Sequence, residues 1–195
     1  MQDFIKRKIN VLKQNQRQVI LFSLTYLIGI ILGVFFLGDK SEGSILYTNA
    51  NNYHIIIFSS DNSIISLFIK ILLSGILLTI PVILLGLTIA TIPFICIILF
   101  YRGIILGTAF ILFYSISGIS GIITFIILTL PMHVLLTAGL IVASVLNYGI
   151  KSSCNKSRVA EVIKNSLFSI AFTLISAIYF SFIMITVVRP INLIF

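Results

Sequence analysis

Residues 71–150 read ILLSGILLTIPVILLGLTIATIPFICIILFYRGIILGTAFILFYSISGISGIITFIILTLPMHVLLTAGLIVASVLNYGI, and Arg102 is the single formal charge among these eighty residues. No soluble core absorbs this many apolar side chains, whereas a helix of about 20 apolar residues crosses a hydrocarbon layer of about 30 Å. The apolar runs are continuous rather than alternating, which favours helices over membrane strands. This stretch therefore predicts several transmembrane helices.

The whole chain has the same character, with 59% hydrophobic and 9% charged residues and a mean hydropathy of +1.20. We therefore predict a single all-α membrane domain over 1–195, a multi-pass transmembrane helical bundle of about five spans. The expected spans are about 18–38, 66–91, 93–117, 119–148 and 167–188, with an outer loop at 39–65 and a basic segment at 149–166. The apolar join near Pro93 leaves open a broken or re-entrant helix within 66–117.

The charges flanking the spans predict the orientation. The basic residues before the first span outnumber one acid, Asp3, and the segment 149–166 is also basic, whereas the loop at 39–65 carries most of the acids. Cytoplasmic flanks of membrane helices are enriched in Lys and Arg. We therefore expect a cytoplasmic amino terminus and a cytoplasmic 149–166 segment. The net charge of +8 is explained by these flanks, so the lipid bilayer is expected as a partner and a nucleic acid is not.

The leader at 1–17 has the pattern of a short amphipathic helix, because Phe4, Ile5, Ile9 and Leu12 fall near one helical face. Such a helix lies in the membrane interface and can bind anionic lipid. The simpler interpretation, an ordinary positive flank of the first span, is preferred.

A short motif occurs twice. GIILGVFF at 29–36 and GIILGTAF at 103–110 share six of eight letters and each contains a GxxxG spacing. Gly29 with Gly33, and Gly103 with Gly107, place bare backbone on one helix face, where another helix can approach closely. The motifs predict either packing within the chain or docking of a partner's transmembrane helix.

Arg102, Pro131 and His133 are predicted to form an intramembrane polar cluster. A charge at a helix centre costs about 2.5–3.5 kcal/mol on insertion scales, so Arg102 must either reach the interface or contact helix carbonyls, Tyr101 or His133. Pro131 has no N–H and frees a carbonyl one turn earlier. No acid lies within the predicted spans, which disfavours transport driven by an intramembrane carboxylate.

Catalytic and metal sites are not expected, and neither is a cofactor. GISG at 118–121 has the form of a serine protease motif with Ser120 as nucleophile and His133 as base, but four common letters are weak support. The other histidine, His54, lies in the outer loop. The cysteines, Cys96 and Cys154, have no neighbours that suggest a zinc site, and both are predicted to be free thiols.

Two segments carry a family resemblance, LFYRGIILGTAF at 99–110 and ITFIILTLPMHVLLTAGLIVASVLNYG at 123–149. They resemble the stage II sporulation protein M family of bacterial membrane proteins, which typically shows a basic or small residue before a GxxxG helix, a small-residue turn, and a Leu-Pro-x-His or Leu-Pro-x-Asn element. The basic leader followed by LTYLIGIILGVFF at 24–36 also fits. The matching positions are Arg102, Gly103, Gly107, Gly118, Gly121, Leu130, Pro131 and His133.

The resemblance implies a non-enzymatic scaffold in the bacterial cell membrane, which positions peptidoglycan hydrolases during engulfment in sporulation. Partner anchors would dock on the glycine faces, and the outer loop would contact outer domains. The family also includes small relatives encoded with circular bacteriocins, so the alternative is a membrane subunit that acts with an ABC-type ATPase in peptide maturation, export or immunity. That alternative requires a polar path, for which the candidates are Arg102, Thr124, Thr129, His133, Thr137 and Asn147.

Overall fold

The computed structural model describes residues 2–38, 64–86, 91–148, 156–184 and 186, and every regular element in these ranges is helical. The elements are α1 (Gln2–Gln14), α2 (Gln16–Gly38), α3 (Ile64–Gly86), α4 (Thr91–Thr124), a π-helical segment (Phe125–Thr129), α5 (Leu130–Tyr148) and α6 (Lys156–Ile183). Nearly all of the predicted outer loop lies outside the described residues, and so does Cys154.

Four of the described stretches are long and apolar enough to cross a membrane, and a fifth apolar stretch is shorter. The four are Gln16–Phe35, Ile92–Ser115, Ser117–Tyr148 and Val159–Ile183, and the shorter one is Phe68–Val82. The prediction of an all-α, multi-pass helical bundle is therefore confirmed.

The two GxxxG motifs pack against each other. A Cβ added to Gly103 would overlap the Tyr26 carbonyl oxygen and lie 2.9 Å from the Gly29 Cα atom, and one added to Gly107 would lie 3.0 Å from the Gly33 Cα atom. Because Gly29 meets Gly103 and Gly33 meets Gly107, α2 and α4 cross in parallel. The glycine faces of α2 and α4 thus pack against each other within one chain, and they are not open to a partner's helix.

The α2 helix has two distinct sides. Phe22, Tyr26, Gly29 and Gly33 recur every three or four residues and are buried against α4 and its neighbours. The opposite side of α2 is apolar and exposed, as expected for a helix that faces lipid on one side. The exposed side chains there include Ile20, Leu24, Leu27, Ile31 and Phe35.

The last helix, α6, packs between α3 and α5. A Cβ added to Gly139 of α5 would lie 2.7 Å from the Cβ of Phe172 in α6, and one added to Gly75 of α3 would overlap Thr173 of α6. Small residues at these crossings let backbones approach closely, so that dispersion contacts replace the hydrophobic driving force that lipid does not supply.

The small-residue run SISGISG at 115–121 forms the predicted turn. Gly118 has φ 58° and ψ −130°, which interrupts α4 and reverses the chain. This left-handed region is accessible to glycine at low cost. The Phe125 ring then meets Phe110 and Phe113 edge to face, at centroid distances of 5.3 and 6.0 Å. Aromatic contacts therefore close the hairpin between the two arms.

The region 66–117 contains two helices, α3 and the first arm of α4, and they have different neighbours. The main contact of α3 is with α6, whereas α4 packs chiefly on α2. Pro93, near which the join was predicted, lies in the first turn of α4. The N–H groups in the first turn of a helix have no acceptor within that helix, so proline loses no hydrogen bond at this position.

The amphipathic leader forms α1 and attaches to the bundle. The Lys8 ammonium donates a hydrogen bond to Asn165 Oδ1 at 2.6 Å and lies 3.6 Å from a Glu161 carboxylate oxygen. Leu12 packs against the buried apolar cluster that includes Phe22 and Leu140, while Lys6 and Lys13 are exposed. The α1 helix therefore lies at the end of the bundle where α6 begins.

We predict that Gly103→Leu prevents the close crossing of α2 and α4, because the new side chain would meet backbone atoms that cannot move aside. Overpacking of this kind costs about 1–3 kcal/mol. The expected result is a lowered melting temperature of the detergent-purified protein. The control is Ala171→Leu, at an exposed site on α6, which should melt like the wild type. Equal melting of Gly103→Leu and wild type would contradict the packing described for the glycines.

Candidate functional site

Arg102 lies inside the bundle and does not reach the membrane interface. Its side chain is 5% exposed, and its guanidinium acts electrostatically on both the Tyr26 hydroxyl and the His133 ring. Tyr101, which was considered as a neighbour, is 60% exposed and points away from this site. Tyr26 on α2 and His133 on α5 are among the residues close to Arg102.

Three helices build the buried polar cluster, which we define as Tyr26, Arg102, His133 and Thr137. Tyr26 is on α2, Arg102 is on α4, and His133 and Thr137 are one turn apart on α5. Tyr26, His133 and Thr137 are exposed by only 8%, 8% and 2%. The predicted pairing of Arg102 with His133 is thus part of a larger group, to which α2 contributes the tyrosine.

The glycine crossing sets the depth of this cluster in the bundle. Tyr26 is near the middle of the apolar span Gln16–Phe35, and its carbonyl oxygen meets Gly103, the residue after Arg102. A charge at this position is roughly 15 Å from either surface of the hydrocarbon layer. The cluster therefore lies beyond the reach of lipid headgroups.

Several polar atoms of the cluster lack a hydrogen-bond partner among the described residues. They are the Tyr26 hydroxyl, the Thr137 hydroxyl and Nδ1 of His133. The two hydroxyls are neighbours and close enough to interact with each other. Buried polar groups in proteins are nearly always paired with protein, water or an ion, so this cluster has unused hydrogen-bonding capacity.

Pro131 affects the hydrogen bonding of the helix backbone and is not a member of the polar cluster. In α-helical register its N–H would have bonded the carbonyl of Ile127, and proline has none. The Tyr179 hydroxyl of α6 donates to that carbonyl at 2.5 Å. The helix widens to π-helical spacing over Phe125–Thr129, just before the proline. A hydroxyl from a neighbouring helix thus satisfies the carbonyl that Pro131 frees.

Hydroxyl groups also line the buried side of α6. Ser169 and Thr79 of α3 lie 3.0 Å apart, Oγ to Oγ1, and Ser176 donates to the Met132 carbonyl at 3.0 Å. The Thr173 hydroxyl donates to a carbonyl of its own helix, that of Ser169, at 2.9 Å. A polar group in lipid must find its hydrogen-bond partner within the protein. These bonds provide such partners, and two of them link α6 to α3 and α5.

The candidates for a continuous polar path are not brought together. Asn147 is buried near the far end of α5, and neither its amide nitrogen nor its oxygen has a hydrogen-bond partner among the described residues. Thr124 donates to the Ser120 carbonyl at 3.0 Å, close to the hairpin. Of the path candidates, His133 and Thr137 belong with Arg102 in one cluster, whereas Thr124 and Asn147 lie toward opposite ends of the helical arm.

The serine protease alternative has no geometric support. Ser120 and His133 are on the same helical arm, thirteen residues apart, which corresponds to about 20 Å at 1.5 Å per residue. The Ser120 hydroxyl is exposed and donates to the Ser117 carbonyl at 2.7 Å. Within the described residues no three His, Cys, Asp or Glu side chains are placed to hold a metal ion.

Sequence reasoning missed Tyr26 as a member of the cluster, although the signal for it was present. Tyr26, Gly29 and Gly33 have spacings of three and four, so they share one helix face, and Tyr26 had to enter the same contact as the glycines. Thr137 is four residues after His133 and shares its face in the same way. Tyr179 could not be found by such spacing, because its partner is on another helix.

A bundle of apolar helices joined by small residues and buried hydroxyls belongs to the class of multi-pass integral membrane proteins. The model of the stage II sporulation protein M family matches residues 20–188, and the chain belongs to that family. The match runs from α2 through α6 and confirms the resemblance seen in the sequence. No curated protein and no solved structure matches the chain.

The bond between Tyr179 and Ile127 leads to a prediction about Pro131. Tyr179→Phe removes the donor and should lower the free energy of unfolding by about 0.5–1.5 kcal/mol. Pro131→Ala restores a backbone N–H for the same carbonyl, so Tyr179→Phe should cost less in that background. A double-mutant cycle of unfolding free energies measures the difference.

Tyr114→Phe, at an exposed ring, serves as the control and should have the same effect with or without Pro131. If the effects of Tyr179→Phe and Pro131→Ala are additive, the carbonyl of Ile127 does not connect the two residues.

Proposed function

We propose that this chain is a non-enzymatic membrane scaffold that holds partner proteins in position, with peptidoglycan hydrolases at the engulfing septum of a sporulating bacterium as the leading candidates. Family membership over residues 20–188 carries this proposal. The described helices support it in a general way, because their buried polar groups mostly bond one another or the helix backbone.

The packing of the glycines changes where partners would dock. Since α2 and α4 occupy each other's glycine faces, a partner's anchor has to use an outward face. The outward side of α2 is one, and α3 has another with exposed side chains at every third or fourth position. On α3 these are Ile69, Leu73, Leu77, Ile80 and Leu84. Lipid covers such faces in the absence of a partner, and close packing by a second helix can displace it.

The segments outside the membrane complete the proposed arrangement. The loop expected at 39–65 would contact the outer domains of the partners, and α1 would stay at the cytoplasmic surface. The parallel crossing of α2 and α4 supports one span between them, because alternating spans require the first and third to run in the same direction.

The alternative function is a membrane subunit of a bacteriocin or peptide maturation, export or immunity system that works with an ABC-type ATPase. One observation favours it, namely the buried cationic cluster around Arg102, which a passive scaffold does not require. In this case the ATPase would bind the basic segment at 149–166, from which α6 begins.

The test is photo-crosslinking from single positions in the native membrane. A photoreactive amino acid is placed on the outward faces, at Leu24 or Ile31 of α2 and at Leu73 or Leu77 of α3. Leu99 and Leu106, which are buried in α4, are the controls and should crosslink only within the chain. The captured proteins are identified by mass spectrometry.

Cell-wall hydrolases captured from outward positions would support the scaffold. A nucleotide-binding subunit together with a peptide precursor would instead favour the export or immunity system. Crosslinks to lipid alone from all four outward positions would contradict docking on these two faces.

A further inference from the structure

The α1 helix has one side attached to the bundle and another side exposed. Lys8 and Leu12, four residues apart, contact α6 and the buried apolar cluster. Lys6, Ile9 and Lys13 recur at spacings of three and four residues, so they share another side of the helix, and all three are exposed. We define these three side chains as the α1 surface. Its direction is fixed because the other side of α1 is attached.

The attachment of α1 holds it at the level where the membrane spans begin. Lys8 bonds Asn165, which lies inside the apolar stretch Val159–Ile183 of α6. A single residue, Asn15, separates α1 from α2, whose apolar stretch begins at Gln16. At 1.5 Å per residue, no part of α1 lies more than about 20 Å from the first span. The α1 surface is therefore within reach of lipid headgroups.

The α1 surface combines two ammonium groups with an apolar side chain, Ile9, that is 45% exposed. Asp3 is the only acid among residues 1–38, and Arg17 at the start of α2 is a further exposed cation. A soluble anion uses the charges alone, whereas a membrane surface offers negative headgroups beside acyl chains and accommodates the isoleucine as well. Basic side chains next to a span are attracted to anionic lipid. The complementary ligand is therefore an anionic phospholipid.

The structure changes the interpretation of the leader that the sequence favoured. An ordinary positive flank of a span needs only net charge and no particular conformation. In the bundle, however, the bond from Lys8 and the packing of Leu12 orient α1. A preorganised surface loses less conformational entropy on binding than a free segment does.

We propose that Lys6, Ile9 and Lys13 form a binding surface for anionic phospholipid. The two ammonium groups contact headgroup phosphates, and Ile9 lies among the upper carbons of the acyl chains. Lys8 takes no part, because it is engaged with Asn165 and Glu161. This surface is independent of the proposed scaffold role.

The experiment uses the absence of tryptophan from the chain, since a single tryptophan introduced by Ile9→Trp reports on the α1 surface alone. The full chain is reconstituted in bilayers of phosphatidylcholine and phosphatidylglycerol, and one of the two lipids carries bromine on its acyl chains. Bromine quenches tryptophan fluorescence on contact. Brominated phosphatidylglycerol should quench more than the same mole fraction of brominated phosphatidylcholine, and added salt should reduce this preference by screening the charges.

Two variants in the Ile9→Trp background test the assignment of the charges, Lys6→Gln and Lys13→Gln. Each removes one ammonium group from the α1 surface and should lower the preference for the anionic lipid several-fold. A second reporter, Leu27→Trp in the otherwise unchanged chain, lies on the exposed side of α2. Both brominated lipids should quench this reporter equally.

Lys70→Gln is the matched control, because it removes one exposed positive charge at the other end of the bundle. Thr79 of α3 meets Ser169 of α6, and Gly75 meets Thr173, so the two helices are antiparallel. The first turns of α3, which contain Lys70, are therefore far from α1. This variant should keep the full preference at the Ile9→Trp reporter.

Equal quenching by the two brominated lipids at the Ile9→Trp reporter would overturn the proposal, and so would the absence of quenching by either, which would show that this surface faces water. A preference that both Lys6→Gln and Lys13→Gln retain would assign it to other charges and also overturn the proposal. An equal loss of preference in Lys70→Gln would indicate a general effect of net charge, with the same consequence.

Discussion

The backbone contact between α2 and α4 is the constraint on which the rest of the bundle depends. Lipid gives apolar helices little reason to associate, so a stable crossing needs backbones close enough for extensive dispersion contacts. Gly29, Gly33, Gly103 and Gly107 provide that approach, since any Cβ at these positions would meet main-chain atoms. The crossing also fixes the register of the two helices, and this register places Tyr26 beside Arg102.

The interior of the bundle is more polar than its composition suggests, and the reason is the same at each position. A polar group in a low-dielectric interior costs free energy unless it is paired, so hydroxyls bond carbonyls of their own helix or of a neighbour. Tyr179 does this for the carbonyl that Pro131 leaves without a donor. Ser176 donates in the same way to Met132. The hydroxyls of α6 therefore supply the hydrogen-bond donors that the backbone of the neighbouring helix lacks around Pro131.

The spans and their breaks could be predicted because they depend on local properties. Continuous apolar runs of about 20 residues identify membrane helices, and the small-residue run around Gly118 marked the hairpin. The glycine pairs were also visible, but a GxxxG face looks alike whether it meets its own chain or a partner. Only the three-dimensional arrangement distinguishes these cases, because the matching face is on a helix some seventy residues away in sequence.

The sequence by itself determined the class of protein, the family and the position of the costly charge, Arg102, because hydropathy, glycine spacing and ionisable side chains are properties of the chain. The tertiary structure decided that the four glycines pack within one chain and that Tyr26 and Thr137 join Arg102 and His133. It also decided that Tyr179 compensates for Pro131. These outcomes follow from which helix faces meet, and a helix face carries no record in its own sequence of the neighbour it contacts.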